Sequence, residues 1–262
     1  MTTFTESTEA DFDSLQAETG VHHEQPTDTS FAPADEIQRG YPTTSEFTGL
    51  TLDHYYPLQD ASAPVTDHAG AFDLSAAGDP TLGATPGPNG FDYADLDGNN
   101  DEFIYSDFVN IPTDFTLSFL YKPGTDLGTT SLALFGSGSG FIVYVDATFE
   151  ELHAGSNRGV STTVDASTSV SVGTWYHGGF TWEESTDTAT LYHNGTQESQ
   201  ETDWDVGSLI WRSVGGNYTG NQFHGGVAEY RLYTGVATPA QMSELADTAL
   251  GQCEYWADKK VS

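Results

Sequence analysis

The chain has 262 residues and carries 39 acidic residues against 7 lysines and arginines, a formal net charge of −32. That balance excludes direct nucleic-acid binding, because phosphate contacts need Lys and Arg. The single cysteine, Cys253, excludes an intrachain disulfide, and no apolar run approaches the length of a membrane span.

Acids are scattered along the chain rather than gathered in a tail. Such a surface repels itself in dilute buffer and is screened in strong salt, where the Debye length falls to about 3 Å at 1 M. The charge therefore reads as adaptation to a high-salt, halophilic setting. Residues 1–46 are rich in Thr, Ser, Glu, Asp and Pro, with isolated apolar residues such as Phe4, Phe12, Leu15 and Phe31. They carry neither the basic region nor the apolar core of a secretory signal. A segment of this composition orders itself only against something else, so the stretch is expected to be an extended arm that docks the chain on an assembly.

From Phe47 the pattern changes to short apolar runs. Leu50, Leu52, Tyr55, Tyr56 and Leu58 form the first, and a turn-rich stretch with Gly70, Gly78-Asp79-Pro80 and Gly87-Pro88-Asn89-Gly90 follows. Strands are expected at 93–96, 102–105, 115–121, 131–135 and 141–145, and strand-like runs at 160–165 and 168–172. In GTWYHGGFTW (173–182), Trp175, His177, Gly179 and Thr181 alternate with Tyr176, Gly178, Phe180 and Trp182, which is a strand with two different faces. Glu183 to Asp187 link it to a returning strand, Ala189 to His193, and Asn194-Gly195 offers a positive φ at two successive positions for a tight hairpin. Strands at 209–214 and 226–233 come next. Thr238 before Pro239 caps a short helix to Leu250 that packs through Met242, Leu245 and Leu250. Many short strands parted by turns predict an all-β, two-sheet antiparallel sandwich. The expected division is an arm over 1–46, a sandwich over 47–250 and a tail over 251–262.

Six segments in order resemble a laminin G-like domain of the concanavalin A-like lectin/glucanase superfamily. They are Tyr55-Tyr56-Pro57-Leu58 with Asp67 and Gly70; Leu96-Asp97-Gly98 with Asp101; Phe115-Thr116-Leu117-Ser118-Phe119; Gly173-Thr174-Trp175-Tyr176-His177; Thr190-Leu191-Tyr192-His193-Asn194-Gly195; and Phe223-His224-Gly225-Gly226 leading into Glu229-Tyr230-Arg231-Leu232-Tyr233. The resemblance implies a jelly-roll sandwich that binds carbohydrate or protein at its loop rims. By the same analogy it implies one calcium ion, with Asp67 and Glu229 as ligands. The sequence departs from the family at Leu120, where an aromatic is usual.

Glycosidases need paired carboxylates, and the superfamily's form, E-x-D-x-x-E or E-x-D-x-E, is not in the sequence; Asp95-x-Asp97 comes nearest. A non-enzymatic reading is therefore preferred. The alternation Asp95, Asp97, Asn99, Asp101 invites a calcium loop but lacks the glycine position and closing glutamate of an EF-hand, so a solvated turn is expected there. The histidines have no zinc spacing, and His177 reads as a packed strand residue. Sugars stack on exposed aromatics and bond to amides and carboxylates; Trp182, Trp204, Asn217, Tyr218 and Asn221 form that combination near predicted loops, with Trp211 divided evenly between rim and core. Asn194-Gly195-Thr196 and Asn217-Tyr218-Thr219 are also glycosylation sequons. The expected function is recognition of a cell-surface glycan or glycoprotein by an oligomeric virion surface protein, such as a spike, turret or fibre, joined to other subunits through residues 1–46. A purely structural decoration protein and a polysaccharide-cleaving enzyme are the alternatives.

Overall fold

The computed structural model describes residues 47–110, 112–124, 132–137, 141–146, 148, 150–156, 163–204, 210–216 and 222–259. The chain divides into two units, Met1–Gly40 and Tyr41–Ser262, and the described residues all lie in the second. The arm expected over 1–46 lies outside them.

The second unit is a sandwich of two antiparallel sheets. Its strands are β1 (Thr51–Tyr56), β2 (Leu74–Ala77), β3 (Thr81–Ala84), β4 (Tyr93–Asp97), β5 (Glu102–Asn110), β6 (Phe115–Pro123), β7 (Leu132–Ser137), β8 (Phe141–Asp146), β9 (Glu151–Ser156), β10 (Thr163–Ser169), β11 (Tyr176–Glu183), β12 (Thr188–His193), β13 (Thr196–Glu201), β14 (Ile210–Val214) and β15 (His224–Thr234). A helix, α1 (Pro239–Lys259), closes the described chain. The eight-stranded sheet runs β13-β12-β11-β6-β15-β4-β3, with β1 also on β15; the seven-stranded sheet runs β10-β9-β8-β7-β14-β5-β2.

Alternation decides what fills the space between the sheets. Phe115, Leu117, Phe119 and Tyr121 of β6, Phe180 and Trp182 of β11, and Ala189 and Leu191 of β12 face Phe141, Val143 and Val145 of β8 and Leu152 and Ala154 of β9 in one core. The opposite face of the eight-stranded sheet is covered in part. Met242 and Leu245 of α1 join Phe47, Leu50, Tyr192 and Tyr233 in a second cluster, and Ala249 joins Tyr93, Leu120 and Ala228 in a third. That cover explains why β6 is buried on both faces, and why Leu120 needs no aromatic.

The central hairpin forms as its residues predict. Asn194 and Gly195 have φ of 48° and 75°, and His193 pairs with Thr196 across a two-residue turn. Gly179 permits the helix to approach: a Cβ there would lie 2.5 Å from Met242 Sδ. Thr238 and Gln241 form a reciprocal capping box, with Gln241 N–H donating to Thr238 Oγ1 at 3.3 Å and Thr238 N–H donating to Gln241 Oε1 at 2.9 Å.

The structure corrects four boundaries. Within the turn-rich stretch β2 and β3 pair with β5 and β4; at four residues each they are too short to show a period. The strand β9 was not anticipated, because Glu151, His153, Ala154 and Gly155 have low strand propensity. The runs at 160–165 and 168–172 resolve into the single strand β10. The helix continues past Leu250 to Lys259.

Candidate functional site

The outer face of β11, β12 and β13 carries a groove built from cross-strand rows. Thr181 pairs with Thr190, which pairs with Gln200; Gly179 pairs with Tyr192, which pairs with Gln197; Glu183 pairs with Thr188. Because side chains alternate along a strand, these residues share one face. The chain between β15 and α1, Val236 to Pro239, forms the wall, and the groove encloses about 360 Å³. Thr181, Thr190 and Tyr192 are buried in its floor, whereas Gln197 and Gln200 are exposed at its edge. Gln200 Nε2 donates to Thr190 Oγ1 at 3.3 Å. Glu183 is held by Ser185 Oγ, which donates to Oε1 at 3.3 Å, and by Thr186 Oγ1, which donates to Oε2 at 2.9 Å. Such a surface offers hydroxyl and amide groups that both donate and accept, beside one carboxylate that accepts only.

The other face of the sandwich carries a smaller polar cluster. Tyr144 and His153 stack with ring centroids 5.3 Å apart, and His153 Nδ1 lies 2.6 Å from Asp165 Oδ1.

Asp67 and Glu229 are both buried, and both are already engaged with protein donors. Asp67 Oδ1 accepts backbone N–H groups from Tyr55 (3.1 Å), Ala69 (3.1 Å) and Gly70 (2.9 Å). Its Oδ2 lies 2.7 Å from His54 Nδ1 and accepts the N–H of Phe72 at 3.4 Å. Burial opposes ionisation, but the bonds from His54 and from the Gly70, Tyr55 and Ala69 amides outweigh it and hold the carboxyl at about 2. Glu229 sits at a bulge with φ 58°. Its Oε2 accepts from Arg231 at 2.9 Å and from the Tyr55 hydroxyl at 3.0 Å, and Oε1 accepts from Gln59 at 3.3 Å. Donor protons aimed at both carboxylates form a lining that does not fit a calcium ion, which requires free oxygen ligands. The two residues tie β1 and the following loop to β15 instead.

A different acidic group is assembled by the fold. Carboxylate oxygens of Asp79, Asp97 and Asp101 lie within 4.8 Å of one another. Asp101 is buried and accepts the N–H of Asp79 at 2.8 Å and of Asp97 at 2.9 Å. Burial raises its pKa despite those bonds, and the charges of Asp97 and Asp79 add to the effect. Asp95, the remaining carboxylate of the alternating run, is not in the group. The oxygens of Asp101 serve to tie two turns together.

Two of the aromatic residues expected at a rim, Trp182 and Trp204, are elsewhere. Trp182 and Trp204 are only 3% and 1% exposed, and Trp204 packs against Phe141, Phe180 and Trp182 in the core. This corrects the expectation that they present stacking faces: a large aromatic next to a turn buries its area whenever the sheet twist leaves space beneath it. They are buried within the domain itself. Asn217, Tyr218 and Asn221 lie outside the described residues, as does the side chain of Trp211. His177 is a packed strand residue as expected, fully buried with Nε2 2.9 Å from Ser118 Oγ. Burial pushes it down to about 3, with Arg231 and His193 contributing. The groove residues were missed because Thr181, Thr190 and Gln200 look like ordinary solvent-side positions. Their one signal was outward-facing Thr on neighbouring strands, followed by the wholly polar run TQESQE.

A family model described as the concanavalin A-like lectin/glucanases superfamily matches residues 88–243, a span that contains every residue of the groove. No curated protein matches. Among solved structures, domain 4 of AbnA, a GH43 extracellular arabinanase from Geobacillus stearothermophilus solved with arabinotriose, is similar with a TM-score of 0.59 at 20% identity, over 76% of this chain and 99% of that one. The receptor-binding domain of botulinum neurotoxin type G gives 0.56 at 12% identity, over 74% of this chain and 50% of that one. Trypanosoma rangeli sialidase gives 0.57 at 13% identity, over 77% of this chain and 33% of that one. At these identities the likeness is one of fold.

Proposed function

The chain belongs to the concanavalin A-like lectin/glucanases superfamily, and from that premise we propose that it is a glycan-recognition module whose sugar site is the groove of β11, β12 and β13. The observation that carries this reading is the groove itself. Rows of Thr, Gln and Tyr from adjacent strands converge on about 360 Å³, at the small end of the range for ligand sites. Hydroxyls that both donate and accept are the complement of a sugar's own hydroxyls. Two similar folds support it from outside: one was solved with arabinotriose, and another is a toxin's receptor-binding domain. The size suits a terminal sugar or a short segment rather than a long buried chain.

Binding without turnover is the reading adopted, and the enzymes among the similar folds make it a matter for measurement. The net charge of −32 supports a high-salt setting, and attachment to a virion or other assembly through residues 1–46 completes the proposal.

The test is calorimetric binding of the full chain to neutral oligosaccharides in strong salt, together with Thr190→Val and Gln200→Ala. Both variants should weaken binding about tenfold or more at unchanged melting temperature, since a deleted partner leaves a ligand hydroxyl unpaired. Binding that survives both but is lost in Tyr144→Ala would move the site to the seven-stranded sheet. Absence of binding across neutral and charged glycans would defeat the recognition reading, and release of shorter sugars would defeat the non-enzymatic one.

A further inference from the structure

Resting on the groove as the sugar site, we propose that it selects uncharged glycans and rejects those carrying carboxylate or sulfate groups. The basis is the charge of the lining. Among the described residues, Glu183 is its only carboxylate, and none of those lining it is Lys, Arg or His. The remaining polar contributors are Thr, Gln and Tyr side chains.

Glu183 is not a loose surface acid. Ser185 and Thr186 donate to its two oxygens, and its strand position opposite Thr188 fixes it at one end of the rows. A carboxylate held in this way accepts protons only. It can receive hydroxyls from a neutral sugar, but it has nothing to offer the carboxylate of a uronic or sialic acid or the oxygens of a sulfate ester. Recognition of those groups calls for a cation, best a bidentate guanidinium.

No described cation is positioned to supply one. Among residues whose side chains are described, the lysines and arginines are Lys122 and Arg231. Lys122 Nζ donates to the Tyr93 hydroxyl at 2.8 Å and lies 4.2 Å from that ring's centroid. Arg231 is buried against Glu229. Neither lines the groove. The wider field has the same sign, so it also lowers the local concentration of an anionic ligand at low salt.

The expected size follows from Coulomb's law. Like charges about 4 Å apart in water disfavour binding by about fivefold. The long-range part of the repulsion fades as salt shortens the Debye length to about 3 Å at 1 M, so the discrimination should be larger in dilute buffer and persist in reduced form in strong salt.

The experiment uses the full chain on an array of neutral oligosaccharides beside the same oligosaccharides oxidised at C6 to carboxylates. Each neutral binder should weaken about fivefold or more on oxidation. Glu183→Gln should bring the ratio to within about twofold, with its fold checked by melting temperature. A salt titration of the unmodified chain gives a second readout that needs no variant: the ratio should fall as salt rises. Equal or tighter binding of the carboxylated forms would overturn the selectivity while leaving glycan recognition standing. So would a ratio unchanged by both Glu183→Gln and salt. Failure of every sugar to bind would remove the groove reading and this inference with it.

Discussion

Replacing Asp67 should expose how the loop after β1 is held. In the native state its Oδ1 accepts from Tyr55, Ala69 and Gly70, and its Oδ2 lies 2.7 Å from His54. Ala69 and Gly70 are exposed and can turn to water, whereas Tyr55 and His54 are buried. The buried Tyr56 hydroxyl also donates to Oδ2 but keeps the Phe72 carbonyl as an acceptor, so Asp67→Ala strands two buried donors, at about 1–3 kcal/mol each, and should cost about 2–6 kcal/mol. Asp67→Asn keeps an acceptor for the loop amides and should cost about 1–2 kcal/mol, since a charged acceptor is replaced by a neutral one. The two variants also differ from the parent in pH dependence. The folded carboxyl is held at about 2 against 3.8 in the unfolded chain. Its pKa is depressed, so its contribution is complete above the unfolded value and is lost as pH falls through the folded one. The lowered pKa corresponds to about 2 kcal/mol, at 1.36 kcal/mol per unit. Urea unfolding at fixed salt, followed by the fluorescence of the buried Trp182 and Trp204, measures both effects. The gap between parent and Asp67→Asn, about 1–2 kcal/mol at neutral pH, should largely close between about pH 6 and pH 2. A gap independent of pH, or a loss below about 1 kcal/mol in Asp67→Ala, would show that the carboxylate does not organise this loop.

Three further outcomes are expected. His177 is depressed to about 3 from 6.5, so the stability it contributes as a neutral buried group is present above the unfolded value and is lost as pH falls from 6.5 toward 3; in urea titrations, His177→Gln should lack that component. Glu198 joins the edges of the two sheets by accepting from Ser167 Oγ and Thr168 Oγ1, each at 2.7 Å; burial opposes its ionisation, but those bonds outweigh it and lower its pKa. Glu198→Ala should cost about 1 kcal/mol and speed amide exchange in β10 before it does so in β6. Gly178→Ala would put a Cβ 2.4 Å from the ring of Phe119, which stacks on Tyr230 at 5.2 Å; overpacking of about 1–3 kcal/mol should appear as a lower midpoint at an unchanged urea dependence.

The sandwich was legible because its signals are local. Alternation in 176–182 assigned two faces to β11, Asn194-Gly195 set the hairpin, and Thr238-Pro239 started the helix, each through short-range sterics or hydrogen bonding. The same periods assign a residue to a face without saying whether anything covers it. Alternation puts Thr181 on one face of its strand without naming the cover, and Val236 to Pro239, far along the chain, turn Thr181 and Thr190 into the floor of a groove. Trp182 and Trp204 read as loop-side aromatics, yet the opposed sheet buries them. Asp67 and Glu229 read as free oxygen ligands, yet Tyr55 bonds to both. Asp79 joins Asp97 and Asp101 from a turn with no periodic relation to theirs. Periodicity and turn chemistry act over a few residues and so are written in the chain, whereas cover and charge compensation depend on which distant strands meet, and that is settled when the two sheets pack.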